Sequence, residues 1–171
     1  VFRDGMIWPN GYGINEEIIS VPPLPEIEEK PEAWMKPSQG KAVKEFVEDG
    51  GSAFFFHNSS HISLSNDDFR DVEGAIYTGH PPVRPFKIKI TNKNNPITRG
   101  VHDFIVTDEQ HYVKYEKDPE YVFMISVNED GLTFTGSIGD QGTSCEAGWA
   151  YDYGKGRVCF MAPGHNIAAL W

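Results

Sequence analysis

Gly50-Gly51-Ser52-Ala53-Phe54-Phe55-Phe56-His57-Asn58-Ser59-Ser60-His61 is the stretch from which the fold is read. The glycine pair closes a preceding helix, the apolar run Ala53 to Phe56 is too continuous for a half-exposed strand, and polar residues with two histidines follow. The reading is a buried strand that empties into a loop. In an open α/β sheet, ligands collect beyond the carboxyl ends of the strands, so His57 is the first place to look for chemistry.

Upstream, Ala42, Val43, Phe46 and Val47 fall on one face at helical spacing with Lys and Glu opposite, which predicts a helix over residues 37–49 packed against the sheet. Residues 1–36 are rich in Pro, Gly and acidic side chains, Val21-Pro22-Pro23-Leu24-Pro25 being the stiffest part. Proline fixes φ and withholds a donor, so this segment reads as an extended arm or active-site loop, anchored by Trp8 and Trp34, with a flexible linker as the alternative. Residues 37–171 form the α/β domain.

Downstream, a short helix is expected around residues 66–73, capped by Ser65 or Asn66. Tyr77-Thr78-Gly79-His80-Pro81-Pro82 reads as a turn, and Phe86-Lys87-Ile88-Lys89-Ile90 alternates with period two, as a strand with one wet face does. Asn94-Asn95-Pro96 and Arg99-Gly100 punctuate a loop. Tyr121 to Val127 reads as another buried strand, two more flank the turn at Gly154-Lys155-Gly156, and a helix starts at Ile167.

The chain has 171 residues, enough for one domain with a core. Its 25 acidic residues against 15 basic ones, a net charge of −10, argue against nucleic acid or an anionic membrane surface as partner. No apolar run approaches the roughly 20 residues of a membrane helix, so membrane insertion is not expected. A small carbohydrate is the expected partner, and a homo-oligomer is left open. Localisation is left open, with the cytoplasm slightly favoured and secretion as the alternative, because the absence of a leader decides little in a chain that begins at Val1 rather than Met. Cys145 and Cys159 flank the Gly154 turn in a register that does not set them face to face, so both are expected as thiols.

The series Gly50-Gly51 to His57, Gly79-His80-Pro81-Pro82, Asn95-Pro96-Ile97-Thr98-Arg99-Gly100, Thr107-Asp108-Glu109, Trp149 with Tyr153-Gly154-Lys155-Gly156-Arg157-Val158, and Gly164-His165 resembles the ThuA-like, or trehalose-utilisation, family. The resemblance covers about residues 37–171. It implies a fold similar to class I glutamine amidotransferases: a flavodoxin-like three-layer αβα sandwich with a mostly parallel sheet, here incomplete at both ends. It also implies a role with trehalose and related disaccharides or their oxidised keto derivatives. An amidotransferase needs a cysteine nucleophile where this strand ends in His57, so glutamine hydrolysis is not expected.

His57, His80, Glu109, His111 and His165 all fall at strand ends or in loops. A carboxylate with two imidazoles is an ordinary ligand set for zinc, and histidine is also a natural base near neutral pH. The fold resemblance puts His57, Glu109 and His165 at one end of the sheet, as catalytic residues and as ligands of a divalent metal. The bland alternative is that these histidines cap loops. On a strand Asp108 and Glu109 point to opposite sides; Glu109 is taken as the inward ligand or base and Asp108 as a solvated acid. His80 and His111 are assigned to substrate. Arg99 would hold a sugar hydroxyl or a carboxylate within its loop, and Tyr112 and Trp149 would stack on a sugar face or join the core. Ser59 or Ser60 with a histidine base is a weaker hydrolase reading. The expected function is a sugar-processing enzyme acting on a disaccharide or its keto derivative, and the alternative is a non-catalytic binding module.

Overall fold

The computed structural model describes residues 6–7, 32–165 and 167–170. Trp8 and the proline run at 21–25 lie outside them. Met6–Ile7 (β1) pairs antiparallel with Glu32–Ala33 (β2), and Trp34 packs against the core. Helix α1 spans Pro37–Glu48, its proline in the first turn and the Gln39 side chain accepting the Lys36 amide at 2.8 Å. The buried face carries Gly40, Val43 and Val47 rather than the expected set, for Ala42 is exposed and Phe46 is 60% exposed. The cause is the neighbour: a Cβ on Gly40 would lie 1.9 Å from Asn66 Oδ1, so α1 rests on its glycine.

After α1 comes β3 (Ser52–Phe56), a 3₁₀ helix over His57–Leu64, and α2 (Asp67–Glu73). Asn66 caps α2 by accepting the Phe69 amide at 3.1 Å, and Gly74, at φ 90°, ends it. There follow β4 (Ala75–Gly79), β5 (Arg84–Ile90), β6 (Phe104–Asp108), β7 (Tyr112–Tyr115) and β8 (Val122–Val127). The short pair β9 (Thr135–Gly136) and β10 (Gly139–Asp140) precedes β11 (Ser144–Tyr153) and β12 (Gly156–Met161), and a 3₁₀ helix covers Ile167–Leu170. The segment read as a turn at Tyr77 is a strand as far as Gly79; only His80 onward is loop.

Six strands form one sheet in the order β3-β12-β11-β8-β5-β6. Only β3 and β12 run parallel; every other neighbour is antiparallel. Among the described residues the sheet is therefore mostly antiparallel, and the expected mostly parallel flavodoxin-like sandwich is not confirmed. Parallel neighbours need a long crossover, whereas β11 and β12 are joined by the two-residue turn Gly154-Lys155, which only an antiparallel pair accommodates. The apolar run of β3 is likewise an edge among the described strands, with Phe55 buried and Phe54 39% exposed. Both helices and the β4–β7 ribbon lie over one face: Phe55 meets Phe69 at 4.9 Å, and Trp149 lies against Phe160 at 4.2 Å and Tyr115 at 4.9 Å. Trp149 Nε1 also donates to Glu73 O at 2.7 Å, tying α2 to the sheet.

Asp71 of α2 gathers Lys44 of α1 and Lys117 at 2.9 Å each and accepts the Tyr153 hydroxyl. Burial works against its charge, but Tyr153, Lys117 and Lys44 outweigh it and hold the carboxyl well below the usual range. With Asp71 42% exposed, Asp71→Asn should cost only about 1 kcal/mol in a urea titration near neutral pH. The sign follows from the lowered value: the contribution is present above pH ~4 and disappears as pH falls below it, so the two proteins should converge in acid.

Candidate active site

The one parallel pair positions the site. Because β3 and β12 run side by side in the same direction, His57 after β3 and His165 after β12 leave the sheet at the same end. His57 takes a left-handed φ of 44°, the one non-glycine residue to do so among those described. For a side-chain-bearing residue this is an unusual and costly conformation, and here it sits where ligands are expected. The bend is held by Ser59, whose Oγ accepts the Phe56 amide at 3.0 Å and donates to Glu73 Oε1 at 3.2 Å. His57 Nδ1 donates to Ala162 O at 2.7 Å, which leaves Nε2 as the nitrogen with a free lone pair.

Glu109 arrives from the opposite edge of the sheet. Three strands separate β6 from β12, yet Asp108 at the end of β6 accepts the Gly164 amide at 2.6 Å and the His165 amide at 3.1 Å. The sheet is therefore curled, and the site lies on the seam where its ends meet. Across that seam one carboxylate oxygen, Glu109 Oε2, stands 3.0 Å from His165 Nδ1, 3.4 Å from His57 Nε2, 3.6 Å from His111 Nε2 and 3.7 Å from His80 Nε2. His111 shares the short β6–β7 loop with Glu109 and His80 follows β4, so four separate segments supply the five groups.

His57 and His111 are buried and stack at 4.1 Å between ring centroids, while the side chains of His80 and His165 are 29% and 21% exposed and form the open side. His61, from the 3₁₀ helix, packs edge-on against Tyr77 at 4.1 Å, and Tyr77 reaches His111 at 5.1 Å. Burial resists the charge on Glu109, but His111, His57, His80 and His165 outweigh it and hold the carboxyl well below the usual range. Burial, reinforced by repulsion from His57, pushes His111 well below the usual histidine range and keeps it neutral.

A divalent metal fits these donors. His57 Nε2, a Glu109 oxygen and His111 Nε2 lie within 4.8 Å of one another, and both imidazole nitrogens are buried with no hydrogen-bond partner among the described residues. Neutral imidazoles with an ionised carboxylate are the protonation states that a metal requires. The chain's own arrangement also suits proton transfer, with a fixed anion at the centre and imidazoles at the open rim.

Of the residues expected from sequence, His57, His80, Glu109, His111 and His165 converge. Arg99 is exposed on its loop and no described contact joins it to them. Tyr112 and Trp149 are fully buried, Tyr112 against Phe134 at 4.7 Å, so neither ring offers a face to a sugar. Ser59 and Ser60 are fully buried and bonded to Glu73 and to His57 O, in supporting rather than nucleophilic positions. Asp108 is fully buried, not solvated. Tyr77 and Glu73 border the site without a sequence signal: Tyr77 lies in a strand whose residues have turn propensity, and a lone Glu at a helix end gives no sign of burial. Cys145 and Cys159 are both free thiols, as expected.

The sequence matches the ThuA family, described as trehalose utilisation, over residues 25–170. No curated protein sequence matches it. Among solved structures it is similar to a ThuA-like protein from Parabacteroides merdae, with 14% identity and a TM-score of 0.61 over 83% of this chain and 62% of that one. The chain thus spans less than two thirds of that relative's length. It is also similar to part of β-galactosidases from Bacillus circulans sp. alkalophilus and Rahnella sp. R3, each with 14% identity and a TM-score of 0.50 over 18% of the enzyme and 75% and 72% of this chain. At these identities the likeness is one of fold.

Proposed function

We propose, from the fact that the chain belongs to the ThuA (trehalose utilisation) family, that it processes a disaccharide or its keto derivative by acid–base chemistry assisted by a divalent metal, zinc being the expected ion. One observation carries this reading: a single oxygen of Glu109 within 3.0–3.7 Å of four imidazoles. His57, Glu109 and His111 would hold the ion. When bound, it supplies an electrophile for a carbonyl oxygen.

The chain's own groups divide the remaining work. Glu109, held ionised by its neighbours, is a weak base and serves as a fixed negative charge. His165 and His80, the exposed pair, are the proton carriers: one imidazole takes the proton from the carbon next to a keto group, and the electron pair of the broken C–H bond is delocalised toward the carbonyl oxygen. Reprotonation at a different carbon isomerises the sugar, and loss of a β-oxygen substituent eliminates it. A binding module recognising sugar through aromatic faces is less well supported, because Tyr112 and Trp149 are buried.

The test is deuterium uptake from D₂O into a keto-disaccharide, followed by mass spectrometry, together with elemental analysis of the purified protein. Wild type should contain near-stoichiometric metal and catalyse uptake; His57→Ala should lose both. His80→Ala should retain the metal and lose on the order of a hundredfold in exchange rate, the contribution of a positioned acid–base group. Folded, metal-supplemented wild type that binds no ion and exchanges no deuterium would overturn the proposal.

A further inference from the structure

Asp108 is a fully buried acid whose described partners are all backbone amides: Gly164 N–H on Oδ2 at 2.6 Å, and His165 N–H at 3.1 Å and Glu109 N–H at 3.0 Å, both on Oδ1. Burying a carboxylate is costly unless its oxygens are fully hydrogen-bonded, so an acid at this strand end requires an explanation that an apolar residue would not. The pattern of acceptance supplies one. A single atom, Oδ1, holds the amides of Glu109 and His165, the two residues whose side chains meet across the seam at 3.0 Å. The segments they belong to are not sheet neighbours, β6 and β12 being three strands apart, so no ladder of strand hydrogen bonds fixes one against the other.

We propose that Asp108 is the positioning residue of the site, holding the Glu109 carboxylate and the His165 imidazole in register by clamping the Gly164-His165 backbone to the end of β6. It touches neither substrate nor metal and acts through His165 and Glu109. Gly164 suits the clamp: it has a φ of 150°, and a Cβ there would lie 2.1 Å from the Phe56 ring, so the backbone of this loop lies close against the end of β3. The metal arm of the test rests on the proposed function; the other arm does not.

The metal-free full chain comes first. In wild type the Gly164 and His165 amides should be protected from hydrogen exchange. In Asp108→Ala both should exchange at least about tenfold faster, while β12 amides such as Phe160 stay protected, as a local opening requires. The His165 imidazole ¹⁵N resonances, read at one fixed pH, should move to the positions they take in Glu109→Gln. Cobalt(II) titration follows. Asp108→Ala should weaken binding about 10–100-fold, as loss of an outer-shell partner of the ligand Glu109 does. Asp108→Asn keeps one carbonyl oxygen for the Glu109 and His165 amides and should recover most of the affinity while freeing Gly164 alone; it replaces the alanine variant if that fails to fold.

Unchanged exchange at Gly164 and His165, or an unmoved His165 signal, overturns the proposal. If wild type takes up no cobalt, the metal reading has failed separately. Exchange and imidazole signals then decide the clamp by themselves.

Discussion

Replacing Glu109 by Gln should leave the fold standing and reduce metal content from near-stoichiometric to background. The side chain keeps its shape, and the Glu109 amide keeps its bond to Asp108 Oδ1 at 3.0 Å. What disappears is the one anion among four imidazoles. A neutral amide oxygen is a poor ligand beside histidines and cannot offset the charge of a divalent ion, so His57 and His111 would be left as a two-nitrogen site. The electrophilic assistance lost with the ion is worth several kcal/mol, so exchange of deuterium into a keto-disaccharide should fall by roughly a hundredfold or more. Some stability near neutral pH should go with the charge, because the imidazoles hold the ionised carboxyl well below its usual range, but the side chain is 14% exposed and the protein should stay folded. Glu109→Gln with wild-type metal content would move the ligand set elsewhere and leave the carboxylate as an orienting group only.

His57, Glu109 and His165 were legible because each follows an apolar or β-rich run directly, and the end of such a run is where side chains leave a sheet. His80 and His111 could be named, but their place could not. Both flank strands of the small β4–β7 ribbon, and β4 carries Tyr77-Thr78-Gly79, which by local propensity is turn material; pairing with β7 overrides it. The direction of the strands is not legible in the sequence for a related reason. Apolar continuity in Ala53–Phe56 signals a strand buried on both faces, the mark of a parallel sheet, yet Phe54 and Phe56 face outward on an edge strand whose inward residue is Phe55. The curl that brings Asp108 from one side of the sheet to Gly164 near the other leaves no periodic trace in sequence, because it is a sum of small twists over six strands. In sequence alone Asp108 reads as a surface acid, whereas in the structure it is fully buried and closes the seam.

Glu73→Gln should make the protein more stable above neutral pH and nearly insensitive to alkali in the range where wild type weakens. Glu73 is fully buried at the end of α2; burial pushes its carboxyl up to about 8 from 4.5, opposed only by the Ser59 hydroxyl bond at 3.2 Å, and Oε2 has no partner among the described residues. A raised acid is protonated in the native state while the unfolded chain has already ionised. The Glu73 contribution to stability is therefore greatest below pH 4.5, declines as pH rises toward 8, and levels off above it. By pH 7 the loss is about 3 kcal/mol. Glutamine keeps an oxygen for Ser59, and with it the support of the Phe56 amide and the His57 bend, but does not titrate. Urea unfolding of both proteins from pH 5 to 9 checks this. The buried His111 adds an opposite slope, destabilising the fold as pH falls below about 6.5, but it is present in both proteins and cancels in their difference. The difference should thus widen steadily toward pH 8. Parallel curves would mean that Glu73 is ionised in the native state; the anionic charge behind the His57 bend would then be two carboxylates, and Glu109 alone could not account for the electrostatics of the site.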